Sequence, residues 1–241
     1  MKQRICVLVV LFAFAMASFA NAAEIIAQAT LVKGKVTAAT GKKTRAVKLK
    51  ANIFSGDKIT TGPDGKIELK FKDHSIIRLA ANSTLILSGG KIEENRSQIR
   101  TELIRGKNWI RAAEPTDQWA GIAARTPLAV ASVKGTTYRQ DVAADTTTKV
   151  VVYQGEVEVE GIQAAVNRPG ETAKEEAAYE IGEPEEVSMG EWLEIVRELQ
   201  QITITPDGGH AVADIPLSDS QDSWVTWNQQ QDAKLEPDDE E

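Results

Sequence analysis

The stretch GDKITTGPDGKIELKFKDHSIIRL, residues 56–79, sets turn signals between short alternating runs. Lys66 to Lys72 alternates without a break, so Ile67, Leu69 and Phe71 share one side while four charges are expected to face water. Glycine supplies positive φ without a steric penalty, and Pro63-Asp64-Gly65 has the placement of a tight turn. Asp57, Asp64 and Asp73 each suit a turn by bonding their own backbone two residues on. Every aspartate in the stretch therefore has a turn role. Catalysis would need converging partners, and a lone histidine, His74, in a hairpin is ordinarily a turn residue.

The same texture extends along the chain. Glu156 to Glu160 alternates like the opening stretch. Further strands are expected at residues 31–38, 76–79, 84–87, 99–104, 109–111, 129–133, 138–142 and 149–153, each short and apolar or β-branched. Turn residues close them about every ten positions, which points to an all-β fold: a short-stranded sandwich, barrel or β-solenoid. The core is expected to hold Ile67, Leu69, Phe71, Ile77, Leu79, Leu85, Leu87, Val133, Val152, Val157 and Val159. Alternating helical segments are missing, which argues against a parallel α/β sheet.

Residues 1–22 read as a secretory signal. Lys2 and Arg4 precede an apolar run, and Ala20-Asn21-Ala22 offers a small-x-small cleavage pattern before Ala23. The competing reading is an uncleaved anchor, for which the run is short. The expectation is an exported protein, periplasmic or secreted, that does not span the membrane after cleavage. Cys6, the single cysteine, lies inside this segment, so the mature chain has neither disulfides nor thiolate chemistry.

Net charge is −7, and residues 207–241 contribute ten acids against one lysine. The body from Ala23 to Pro206 is neutral, which excludes nucleic acid as an expected partner. Residues 33–50 are locally basic through Lys35, Lys42, Lys43, Arg45 and Lys48, either as a solvated strand face or as a patch for an anionic partner. His74 and His210 are the only histidines, and no G-x-S-x-G, H-E-x-x-H, phosphate-loop or EF-hand pattern occurs. No catalytic, cofactor or metal residue is therefore assigned.

Two ordered motifs carry a family resemblance. The first is Gly56, Asp57, Ile59, Thr61, Gly62, Gly65, Leu69, Phe71, Asp73, Ser75, Ile77, Arg78 and Leu79. The second is Thr126, Pro127, Ala129, Val133, Gly135, Thr136 and Tyr138, followed by Val151 or Val152, Gly155, Val157, Val159 and a closing Gly170. Across residues 31–170 the chain resembles the FecR-domain family of exported β proteins. His74 departs from the pattern, which has glycine there. The family takes its name from regulators of iron-uptake transcription, which add a cytoplasmic sigma-binding segment and a membrane helix. Only about four residues precede the apolar run here. The resemblance therefore implies a freestanding, non-catalytic FecR-domain protein, a binding or scaffold module for an envelope protein or cell-wall polymer.

The expected organisation is a signal (1–22), a FecR-like β domain (23–170), an acidic linker (171–187), an amphipathic helix (188–202) and a disordered acidic tail (203–241). The helix rests on a Ser188 to Glu191 capping box and on Met189, Trp192, Val196 and Leu199 at helical spacing. The tail is too polar to repay ordering, apart from Trp224 and Trp227, which either fold back or form a docking motif. One further expectation is that the acidic tail rests on the basic 33–50 face. The alternative classes are a sensory component related to the FecR regulators and an envelope hydrolase using convergent carboxylates.

Overall fold

The computed structural model describes residues 24–89, 92–93, 96–114, 121–162 and 192–235. The expected signal, the linker and the proposed capping box lie outside these residues. The first half of the described chain gives β1 (Ile25–Lys33), β2 (Val36–Thr40), β3 (Lys43–Ala46), β4 (Asn52–Phe54), β5 (Lys58–Thr61), β6 (Lys66–Phe71), β7 (Ile76–Leu79), β8 (Thr84–Gly89) and β9 (Ile92–Glu93). The second half gives β10 (Arg96–Arg111), β11 (Gly121–Arg125), β12 (Ala129–Val133), β13 (Thr137–Val142), β14 (Thr148–Gln154), β15 (Glu156–Gly161), β16 (Leu193–Arg197), β17 (Gln200–Ile204) and β18 (His210–Asp214). A helical turn α1 (Leu217–Ser220) and a helix α2 (Ser223–Ala233) follow.

β9 pairs with the start of β10, and the other strands form two sheets packed face to face. Sheet A runs β4-β1-β6-β7-β10-β13-β14-β17-β18, all antiparallel. Sheet B runs β3-β2-β5-β8-β10-β11-β12-β15-β16, with β10–β11 parallel. The long strand β10 belongs to both. Its first half pairs with β8 and β11, and its second half pairs with β7 and β13. The crossing sits at Gly106, whose φ is +88° and whose Cα faces the Ser83 backbone so closely that a Cβ would fall 2.6 Å from Ser83 Cα. Only glycine satisfies both conditions there. The expected strands 99–104 and 109–111 are thus one strand bent at this point, and the expected strand 31–38 is instead divided between β1 and β2 at Gly34.

All eleven residues expected in the core are buried between the sheets. The strand period explains why: alternate positions of β6, β7, β8, β14 and β15 point into one interior, and their neighbours point out.

Downstream of β15 the architecture departs from the sequence reading. Residues 193–204 form two strands and not the expected amphipathic helix. β16 adds to β15 on sheet B, and β17 adds to β14 on sheet A. The hairpin turns at Leu199, which takes φ +62°. Helical spacing was present, but period 2 also places Val196, Ile202 and Ile204 inward, and both sheets offered open edges whose backbone groups needed partners. The two-sheet body therefore continues past residue 170, through β18. The tail expected to be disordered is ordered through Leu235: β18 pairs with β17, and α2 begins at the N-cap Asp222, whose carboxylate accepts from Trp224 N at 2.7 Å. Low average hydrophobicity hid the few residues that order it.

The opening stretch behaves as turns, with different wiring. Asp73 Oδ1 accepts from Ser75 N at 3.0 Å, the local bond expected. Asp64 instead faces Lys35 N across the β1–β2 turn. Asp57 is fully buried and accepts from Phe54 N at 2.8 Å, from the Thr40 hydroxyl, and from Arg45 Nη2 at 2.5 Å. It ties the β2–β3 hairpin to the β4–β5 turn. Burial opposes its ionisation, but Arg45, the Phe54 N–H and Thr40 outweigh that and hold its carboxyl below the usual range. Asp57→Asn should cost about 2–3 kcal/mol at neutral pH, since bonds to a charged group are lost. A folded-state pKa below the unfolded one adds stability above the unfolded value of about 4 and loses it as pH falls through the folded value. The gap between wild type and Asp57→Asn in urea melts should therefore close below about pH 4. A gap constant to pH 2 would contradict this role.

His74 sits in the exposed β6–β7 turn at φ +69°. His74→Gly relieves this conformation at the cost of a looser unfolded chain, so stability should be unchanged or higher by up to about 1 kcal/mol in thermal melts. Loss of stability would mean that the imidazole makes a needed contact.

Candidate functional site

The outward positions of sheet A carry more than solvated charge. Next to the core residue Ile110, Trp109 points outward and stacks on Tyr153 of β14, ring centroids 4.5 Å apart. Arg78 of β7 and Arg139 of β13 flank this pair, and both are buried. Each arginine has a carboxylate of its own on the sheet. Arg78 Nε donates to Glu68 Oε2 at 2.6 Å, and Arg139 Nε lies 3.0 Å from Asp141 Oδ1.

The C-terminal segment brings a second carboxylate to each. Arg78 Nη1 donates to Asp232 Oδ1 at 2.6 Å, and Trp109 Nε1 donates to Asp232 Oδ2 at 2.8 Å. Arg139 Nη2 donates to Asp219 Oδ1 at 2.7 Å, and the Tyr153 hydroxyl donates to Asp219 Oδ2 at 2.6 Å. A third contact joins Lys107 Nζ to the N-cap Asp222 at 3.1 Å. Between these anchors Trp224 and Val225 are buried against Trp109, with Ala80, Tyr153 and Trp227 around them. Lys66 Nζ lies 4.7 Å from the Trp227 ring centroid and 5.2 Å from that of Trp224.

Electrostatics follow from this burial. Desolvation works against the charge of Arg139, and Asp141, Tyr153 and Asp219 outweigh it and raise its pKa. Burial pushes the Asp141 carboxyl up despite Arg139, Lys107 and Lys149. Burial likewise raises the Tyr153 phenol, which stays a neutral donor. The surface recognises carboxylates through a guanidinium and an aromatic donor acting as a pair, at two places.

The sequence reading missed this face. It placed Lys66 and Glu68 in water, whereas both lie beside the C-terminal segment, and it placed the tail on residues 33–50, whereas the tail lies on β7, β10, β13 and β14. In the basic segment Arg45 is committed to Asp57. Of the two fates considered for Trp224 and Trp227, folding back is the one observed. The available signal was Trp109 and Tyr153 at outward phases of otherwise regular strands. His210, expected in a disordered tail, is in β18, stacked on Trp192 at 3.8 Å and 3.6 Å from Glu194.

A shallow depression of about 400 Å³ lies on the outer side of sheet B, where Gly121 and Ala123 leave room between Arg100, Lys134, Glu156 and Glu158. Among the described residues no group of three or more His, Cys, Asp or Glu could hold a metal ion, and no helix is long and apolar enough to cross a membrane.

The sequence profile of the FecR protein family matches residues 57–158. The chain carries a FecR domain. Arg78, Trp109, Arg139 and Tyr153 belong to that matched span, whereas Asp219, Asp222 and Asp232 lie beyond it. The chain is also similar to two crystal structures, at 1.65 and 2.50 Å resolution, of a candidate anti-sigma factor from Parabacteroides distasonis ATCC 8503. Identities are 14% and 15%, both TM-scores are 0.47, and 70% of this chain is covered. The match spans 64% and 63% of those chains, less than two thirds of their length. No curated protein matches the sequence.

Proposed function

We propose that the chain is a non-catalytic binding module of the bacterial cell envelope, exported by residues 1–22, that meets its partner through an open sheet edge. The observation that carries this reading is β18. It closes sheet A with all five residues exposed, and among the described residues only β17 pairs with it, so its other side offers backbone groups to a partner. At the same end Leu193, Ile195 and Leu199 are exposed by 58%, 46% and 63%. An edge that combines free backbone groups with apolar side chains is a template for an added strand, which supplies affinity through the main chain. The FecR domain supports a place for this module in a signalling chain, with an envelope protein supplying the strand.

The test is a photo-crosslinking residue at Val212 in cells that express the full chain. The expected result is a discrete adduct with an envelope protein, lost when Asp214→Pro removes an N–H that faces away from β17. Absence of any adduct at positions 212 and 195 would overturn the edge reading. Fractionation of the same cells should find the chain in the periplasm with Ala23 at its N-terminus. Retention of an uncleaved chain in the cytoplasm would overturn export.

A further inference from the structure

We propose that the outer face of sheet A is a docking site for an acidic helical segment of a partner protein, and that α1–α2 is its resident competitor. Three features of the contact lead here.

First, the face does not need the segment for charge balance. With α1–α2 gone, Arg78 retains Glu68 and Arg139 retains Asp141. Burial of an arginine without a partner would be severely costly, and each of these has one on its own sheet. The second carboxylate is an addition that a different chain can supply.

Second, the recognition is chemical and repeated. Asp232 and Asp219 each take one guanidinium bond and one aromatic bond, at opposite ends of a segment whose middle is buried at Trp224, Val225 and Asn228. The matching ligand is a helical segment, a turn followed by a helix, with a carboxylate on each and an indole between. Such helices are read by their anchor positions when they lie against a groove or face. A basic or apolar helix would leave Arg78 Nη1 and Arg139 Nη2, the nitrogens that meet the segment, without a carboxylate.

Third, the resident segment is modest. α2 has eleven residues, short of the length at which helices persist alone in water. Much of its hold comes from tethering, since Ile215 and Pro216 alone connect it to β18. Leu217 stays 88% exposed on the docked segment. A tethered competitor lowers the apparent affinity of any incoming helix by the fraction of time it occupies the face.

The experiment uses the full chain and a fluorescein-labelled peptide of residues 216–235, read by anisotropy. Two variants loosen the resident segment. Asp219→Asn with Asp232→Asn removes its carboxylates. A twenty-residue Gly/Ser insertion between Ile215 and Pro216 lowers its effective concentration and leaves every contact residue in place. The peptide should bind the carboxylate variant at least tenfold tighter than wild type, and the insertion variant several-fold tighter. Arg139→Gln in the carboxylate variant should remove that gain, as should a peptide with Asn at 219 and 232. Equal peptide binding to wild type and both loosened variants would overturn the proposal, as would binding indifferent to Arg139→Gln. Light scattering reads a third outcome: a dimer formed by the insertion variant would show that the occupant is a second copy of this chain, and would overturn the partner helix. This result is separate from the β18 crosslink, which reads another edge of the molecule.

Discussion

Replacing Phe71 with alanine should destabilise the domain by about 3–5 kcal/mol, the range for a fully buried phenylalanine. Phe71 ends β6, opposite Ala27 of β1, and is 2% exposed. Its ring belongs to the same interior as Ile67 and Leu69, so its loss leaves a cavity that rigid sheets on both sides cannot close. Urea unfolding monitored by circular dichroism gives the value directly. A loss below about 1 kcal/mol would place the ring outside the core, because strand period makes a one-residue register error move every side chain to the opposite face.

Gly106→Ala should be comparably damaging, about 3 kcal/mol or more, with two additive causes. An L residue in this left-handed region costs about 1–2 kcal/mol. The added Cβ would also fall 2.6 Å from Ser83 Cα and 2.3 Å from Ser83 Oγ. Ser83 is fixed in place: its Oγ accepts from Lys107 N at 3.0 Å, and its N accepts no displacement because it donates to Thr61 Oγ1 at 2.9 Å. Overpacking at a fixed backbone adds a further cost of about 1–3 kcal/mol. Gly41 makes the control, since its φ is +55° and a Cβ there meets nothing within 4 Å. Gly41→Ala should show the conformational cost alone. Equal losses at the two glycines would mean that the bend of β10 does not depend on close approach to Ser83.

Much of the body was legible in its residues. β6, β7, β8, β12, β13, β14 and β15 were each marked by alternation or by an apolar run between turn residues, and their inward positions form the observed core. Strands with weaker marks were not found. β3 is mostly exposed, β4 has three residues, and β11 is small and alternates only between Ile122 and its alanines. What makes them strands is a neighbour with a free edge.

The sequence by itself determined the all-β class, the inward face of the central strands and the turns around Gly56 to Asp73, because periodicity and turn chemistry are local properties. Tertiary structure decided the rest. Residues 193–204 satisfied helical spacing and strand alternation alike, and the open edges of β14 and β15 selected strands. Asp219 and Asp232 looked like solubilising charge until Arg139 and Arg78, 80 and 154 residues away in the chain, supplied their partners. The destination of a charged side chain depends on which distant surface it meets, and a pattern confined to ten residues carries no record of that surface.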